Sequence, residues 1–136
     1  MLSPDLDTVR LFLHSLAAAV WVGGQITLAG LVPSVRRTAP EALRPVARAF
    51  ARLAWPAFVV LVVTGAWNLA AVDVASTSTD YQVTVLIKVL LSMAAGAATA
   101  IHSASSSRTA IALGGATGLL CSLGAMFVGL LLQRGG

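Results

Sequence analysis

The chain has 136 residues, of which 57% are hydrophobic and 10% charged, against roughly 25% charged residues in a soluble domain. Its charges are segregated, so long uncharged stretches remain, and the solvent they imply is lipid. A single cysteine excludes an intrachain disulfide framework and any cysteine-cluster metal site, while the net charge of +4 sits beside apolar segments, where it points to an anionic lipid surface and not to nucleic acid.

The first apolar segment covers residues 8–35. A cleaved leader would open on a basic region with a shorter apolar stretch; this N-terminus carries Asp5 and Asp7, so a retained first helix is expected. Further apolar segments follow at 53–72, 83–102 and 109–132. Each is about 20 residues or longer, enough at ~1.5 Å per residue for a hydrocarbon core of ~30 Å. The runs lack the alternation of a membrane barrel. The expected fold is therefore all-α, one transmembrane domain over residues 1–136 built as an integral membrane antiparallel four-helix bundle.

Between the first two spans, residues 39–52 read as a short interfacial amphipathic helix. Thr38-Ala39-Pro40-Glu41 offers a capping box with Thr38 as N-cap. Arg44, Arg48 and Arg52 follow at i, i+4 and i+8 on one face, placed to meet lipid headgroup phosphates. Pro45 falls within the first turns, where proline is tolerated. Arg36, Arg37 and Arg108 lie on the same side of the membrane as these three, whereas the 73–82 loop has two aspartates and no basic residue. The positive-inside rule then puts the arginine-rich side in the cytoplasm and both termini outside. Eight arginines against one lysine, with abundant alanine, is the usage of a GC-rich bacterial genome, so the expected location is the bacterial cell membrane.

A polar residue within a membrane helix faces a partner or a cavity. His14, Ala18, Trp21 and Gln25 form one stripe of the first helix, and Thr64 and Asn68 stack on the second. Lys88, Ser92, Ala95, Thr99 and His102 line the third; Gly115, Gly118, Ser122, Met126, Gly129 and Gln133 line the fourth. Counted from the outer end of each span, His14, Lys88, Asn68 and Met126 lie at ~8–12 Å, and His102 at ~30 Å. The first four can converge in the outer half of a bundle. His102 cannot join them, which rules out the two histidines as axial ligands of one haem. Trp21 is too deep for an interfacial belt, so it is expected to pack on a core or cofactor, while Trp55 and Trp67 fit belts at opposite ends of their helix. Met93 and Cys121 read as core filler. Gly114 and Gly118 make a GxxxG, a face for a homodimer, and Gly23-Gly24 beside Trp21 lets a helix or a flat ligand approach.

These residues carry a resemblance. His14 followed by Trp21-Val22-Gly23-Gly24, Thr64-Gly65, and Tyr81-Gln82 leading to Leu86-Ile87-Lys88 resemble the bacterial CopD copper-resistance membrane family over nearly the whole chain. Gln82 stands where that family usually has glycine. The first-helix pattern also resembles HemJ, a four-helix membrane haem protein, without its arginine-containing extension. The CopD resemblance implies copper bound or translocated in the membrane; the HemJ resemblance implies b-type haem with His14 as axial ligand. For copper the expected ligands are His14 and Met126, soft donors suited to copper(I). For a cofactor the expected contacts are His14, Trp21, Gly24, Lys88 and Asn68, with Lys88 and Arg10 as cations for haem propionates. A third reading is an accessory membrane subunit without a ligand. No intramembrane acid, Ser-His-Asp set or phosphate loop indicates an enzyme, and any catalysis would belong to a bound cofactor.

The topology has a direct test. A cysteine introduced at Ser78 is expected to react with a membrane-impermeant thiol reagent from the outside; labelling from the cytoplasm alone would reverse the orientation.

Overall fold

The computed structural model describes residues 3–134, and among these it contains helices and turns but no strand. Four helices are long and apolar enough to cross a membrane: α1 (Leu6–Thr38), α2 (Leu43–Ala70, which a 3-10 turn at Pro40–Ala42 precedes), α3 (Thr79–Ala104) and α4 (Arg108–Arg134). That is the complement of spans an all-α four-helix membrane fold requires. The chain divides into two compact units that meet in sequence between Val72 and Asp73. Hairpin 1 comprises α1 and α2, and hairpin 2 comprises α3 and α4.

Helix α1 starts on an acidic cap. Asp5 accepts hydrogen bonds from the Thr8 backbone N–H and hydroxyl, both at 2.7 Å, satisfying donors that a helix N-terminus otherwise leaves orphaned. Those bonds, the hydroxyl's foremost, hold the Asp5 carboxyl below its usual range. The cap is thus present at neutral pH and lost as pH falls through that lowered value. Midway, Ala19–Gly23 forms a π-helical turn, in which one extra residue is accommodated per turn. It coincides with the Trp21-Val22-Gly23-Gly24 pattern.

Aromatic packing holds hairpin 1 at this level. Trp21 is 2% exposed and packs with Val22 and Ala54. Its ring centroid lies 4.5 Å from that of Phe58 and 5.7 Å from that of Trp55, the latter edge-on. Offset and edge-to-face arrangements suit the ring quadrupoles. Trp55 therefore belongs to this cluster. One turn further along α1, the Phe50 ring fills the space above Gly24, where even a Cβ would collide with it.

The link between α1 and α2 differs from the expected capping box and separate amphipathic helix. Thr38 is the last residue of α1, and its hydroxyl donates back to the Ser34 carbonyl at 3.0 Å, so it does not cap the next helix. Pro40 opens the 3-10 turn, and α2 then runs without a break from Leu43 through Arg44, Arg48 and Arg52 into the apolar segment. Proline at the first helical position supplies the required φ without losing a hydrogen bond. The arginines thus form the first turns of a membrane-length helix.

Hairpin 2 is built on small residues. Ala95, Gly96 and Ala98 of α3 and Gly114, Gly118 and Ser122 of α4 are its buried positions, along with Val85. A Cβ on Gly114 would lie 2.9 Å from the Ala98 carbonyl oxygen, and one on Gly118 would lie 2.8 Å from Thr99 Oγ1. Lipid supplies no hydrophobic drive between helices, so backbone approach of this kind provides the packing. The GxxxG glycines are consumed within the hairpin, and a homodimer would have to use another face. The inward stripe of α4 is Gly114-Gly118-Ser122, which keeps Gly118 and Ser122 of the expected stripe and has Gly114 in place of Gly115, while Met126 is half-exposed. Ahead of α3, Gln82 Nε2 donates to the carbonyls of Val74, Ala75 and Thr77 at 3.1–3.3 Å, and Ser78 caps the helix by accepting from Tyr81 N–H.

Gly118→Leu is expected to destabilise the protein by about 1–3 kcal/mol through overpacking, whereas Gly30→Ala, where nothing lies within 4 Å, should change little. Thermal unfolding in detergent reads both, and equal midpoints for Gly118→Leu and wild type would refute the tight seam.

Candidate functional site

His14 lies in the N-terminal third of α1, about two turns before its middle, and meets α2 at Thr64. Its Nδ1 lies 2.7 Å from Thr64 Oγ1, and Thr64 is 4% exposed. The Thr64 hydroxyl lies 2.6 Å from the Val60 carbonyl oxygen. A hydroxyl has one proton, and a carbonyl can only accept. The proton of Thr64 is therefore committed to Val60, and its oxygen accepts from His14 Nδ1–H. This fixes the imidazole tautomer and makes Nε2 the nitrogen that carries the ring's lone pair. The arrangement is the one by which outer partners orient a ligating histidine.

The antiparallel register that pairs His14 with Thr64 extends in both directions. One turn toward the N-terminus on α1 is Arg10, and one turn toward the C-terminus on α2 is Asn68. Arg10 is 9% exposed. Asp7 Oδ1 lies 3.2 Å from its Nη1, an ion pair without hydrogen-bond geometry, since Nε and Nη1 are both buried with no hydrogen-bond partner among the described residues. Asn68 Oδ1 is buried in the same condition. In the sequence, Arg10 reads as an outer-end charge and an accessory cation. Its i+4 spacing to His14 is the signal that it belongs to the same polar seam.

The other expected site residues fall into clear groups. Trp21 and Gly24 both serve helix packing, Trp21 in the aromatic cluster and Gly24 under Phe50. The space beside Gly24 is thus filled by a side chain and is closed to a flat ligand. Lys88 and Met126 belong to hairpin 2. A Cβ on Gly129 would lie 3.2 Å from Lys88 Nζ, so this glycine makes room for the end of the lysine side chain. Met126 is 49% exposed on α4, and Met93 is more exposed still. His102 Nδ1 lies 2.6 Å from the Ile111 carbonyl, to which it must donate, and its ring packs on Gly114 and Gly115. That contact closes the cytoplasmic turn expected of hairpin 2 and gives His102 a structural task. Among the described residues, no three His, Cys, Asp or Glu side chains group as a metal centre would require.

Comparison with known families bears on residues 44–132, which match the family model for copper resistance protein D. The chain belongs to the copper resistance protein D family. The match starts in the first turn of α2, so Thr64-Gly65, Tyr81-Gln82 and Lys88 lie within it, while α1 with His14 and Arg10 lies outside. No curated protein and no solved structure matches the chain, and these comparisons lend no support to the likeness to HemJ. Within the copper-resistance family, copper is the cargo to be tested against the donors present. They provide one imidazole of fixed tautomer and no closed cluster.

His102→Ala is expected to lower stability by about 1 kcal/mol, the worth of one hydrogen bond, and to leave bound copper unchanged by elemental analysis. Loss of all metal from a folded His102→Ala protein would make this histidine a ligand.

Proposed function

We propose that this membrane protein handles copper(I) as cargo through hairpin 1, with His14 Nε2 as its principal ligand. The observation that carries the reading is the Val60–Thr64–His14 hydrogen-bond chain, which orients the His14 imidazole through its Nδ1. Copper(I) takes imidazole and thioether donors. Met126, the thioether expected beside His14 from the sequence, lies in hairpin 2, half-exposed on α4. The family assignment supports copper as the ion, and the spacing of His14 within α1 supports a site at membrane depth. A cell-membrane location with both termini outside and Arg44, Arg48 and Arg52 at cytoplasmic lipid headgroups completes the proposal, all three arginines being exposed at the start of α2.

The test is copper retention by detergent-purified protein against a copper(I) chelator. His14→Ala should abolish retention while the four helices still insert, because insertion depends on the apolar runs. Thr64→Val should weaken retention by about 10- to 100-fold, the usual effect of removing an orienting partner. Met126→Leu should have the smallest effect of the three. Full copper retention by a folded His14→Ala protein would leave His14 as an interhelical hydrogen-bonding residue and end the proposal. A Soret band in the purified wild-type protein would replace copper with haem b at the same nitrogen.

A further inference from the structure

Two features of hairpin 1 lie outside the copper reading. The first is Arg10, nine-tenths buried, with Nε and Nη1 lacking hydrogen-bond partners among the described residues, and with the unpartnered Asn68 Oδ1 on the facing turn of α2. A guanidinium so placed is a fork of donors for an oxyanion. Asp7, its only ion-pair partner among the described residues, has a side chain 69% exposed and engages one nitrogen from the same helix. The second feature is an apolar groove of about 240 Å³ between α1 and α2, lined by Leu13, Ala17, Val20, Pro56, Ala57 and Val60 among others. Ala17 and Ala57 create it by leaving space, and Pro56 by interrupting the helix edge. Leu13 and Ala17 follow Arg10 at i+3 and i+7, so the groove begins one turn below the guanidinium on the same side of α1. From Arg10 to Val20 the helix rises ~15 Å.

An oxyanion site at the head of an apolar groove matches the two ends of a phospholipid. We propose that hairpin 1 holds one phospholipid with its phosphate on Arg10, a hydrogen-bond-donating headgroup on Asn68 Oδ1, and one acyl chain in the groove between α1 and α2. Ethanolamine and glycerol headgroups supply the donor; choline does not. Asp7 competes with the phosphate for the guanidinium and sets the affinity, so the lipid and Asp7 exchange on Arg10. The site is independent of the copper reading, since neither His14 nor a metal contributes to it.

Native mass spectrometry of the delipidated full chain, titrated in detergent with phosphatidylethanolamine, phosphatidylcholine or inorganic phosphate, tests this. One tightly retained phosphatidylethanolamine is expected, with phosphatidylcholine at least several-fold weaker. Arg10→Gln should reduce retention at least tenfold, and Arg10→Lys should recover part of it. Asn68→Leu should erase the preference for ethanolamine over choline. Asp7→Asn should tighten retention, an effect that a merely structural Asp7–Arg10 pair would not produce. Ala57→Phe, which fills the groove, should lose the lipid with helical content unchanged by circular dichroism. Equal lipid retention in wild type and Arg10→Gln would overturn the proposal, leaving water and Asp7 as the partners of Arg10. Displacement of the lipid by inorganic phosphate alone would also overturn it, because the groove would then contribute nothing. If Arg10→Gln does not fold, the Asp7→Asn and Ala57→Phe results decide.

Discussion

Hydrocarbon offers no water to an unpaired donor or acceptor, and that constraint orders everything else in this protein. The backbone meets it by being helical nearly throughout. The side chains meet it locally: Thr27, Thr38, Thr64, Thr84, Ser92, Ser103 and Ser122 each donate a hydroxyl proton to the carbonyl of the residue four before it. A hydroxyl used in this way keeps its oxygen available as an acceptor. At Thr27, Thr38, Thr84, Ser92 and Ser103 the bond satisfies the hydroxyl within its own helix. At Thr64 the acceptor meets His14, and a backbone requirement becomes an instruction about which imidazole nitrogen carries the proton.

The two hairpins solve helix association in different ways. Hairpin 1 relies on large surfaces, with the Trp21, Trp55 and Phe58 rings interlocked and Phe50 seated on Gly24. Hairpin 2 relies on having almost no side chain at the contact, with Gly114 and Gly118 against α3 backbone and Thr99. The apolar groove of hairpin 1 is lined by aliphatic residues and Pro56 and by none of its aromatic rings. The glycine seam brings backbones together, and an open niche lies at its far end between Tyr81, Thr84 and Leu131.

The four spans were legible in the sequence because apolar length is a property of single segments. Partnerships were legible only where register could be counted from a known contact. The stacking of Thr64 and Asn68 and the His14 stripe were visible, but their pairing across hairpin 1 depends on where the turn at Pro40–Ala42 falls. Thr38 looked like a cap because the four-residue pattern was right; the helix before it simply does not stop there. Gly24 looked like an opening, and the residue that closes it, Phe50, lies far along the chain in a stretch that read as an interfacial helix. Gln82 departed from the family's glycine without visible purpose, yet its amide gathers three loop carbonyls. No local pattern announces a contact of that kind.

The π-helical turn at Ala19–Gly23 has a consequence for how α1 can change over evolutionary time. One extra residue in a helix rotates every later residue by about 100° relative to those before it. The segment bearing Arg10 and His14 and the segment bearing Gln25, Arg36 and Arg37 therefore share an axis but not a phase. Deleting a single residue within the turn would restore one continuous phase and swing one segment's stripe away from α2. Conversely, while the turn persists, substitutions that re-aim the histidine half leave the arginine half in place. The Arg10–His14 end of α1 and its Arg36–Arg37 end can drift separately, as two modules joined by a swivel one turn long.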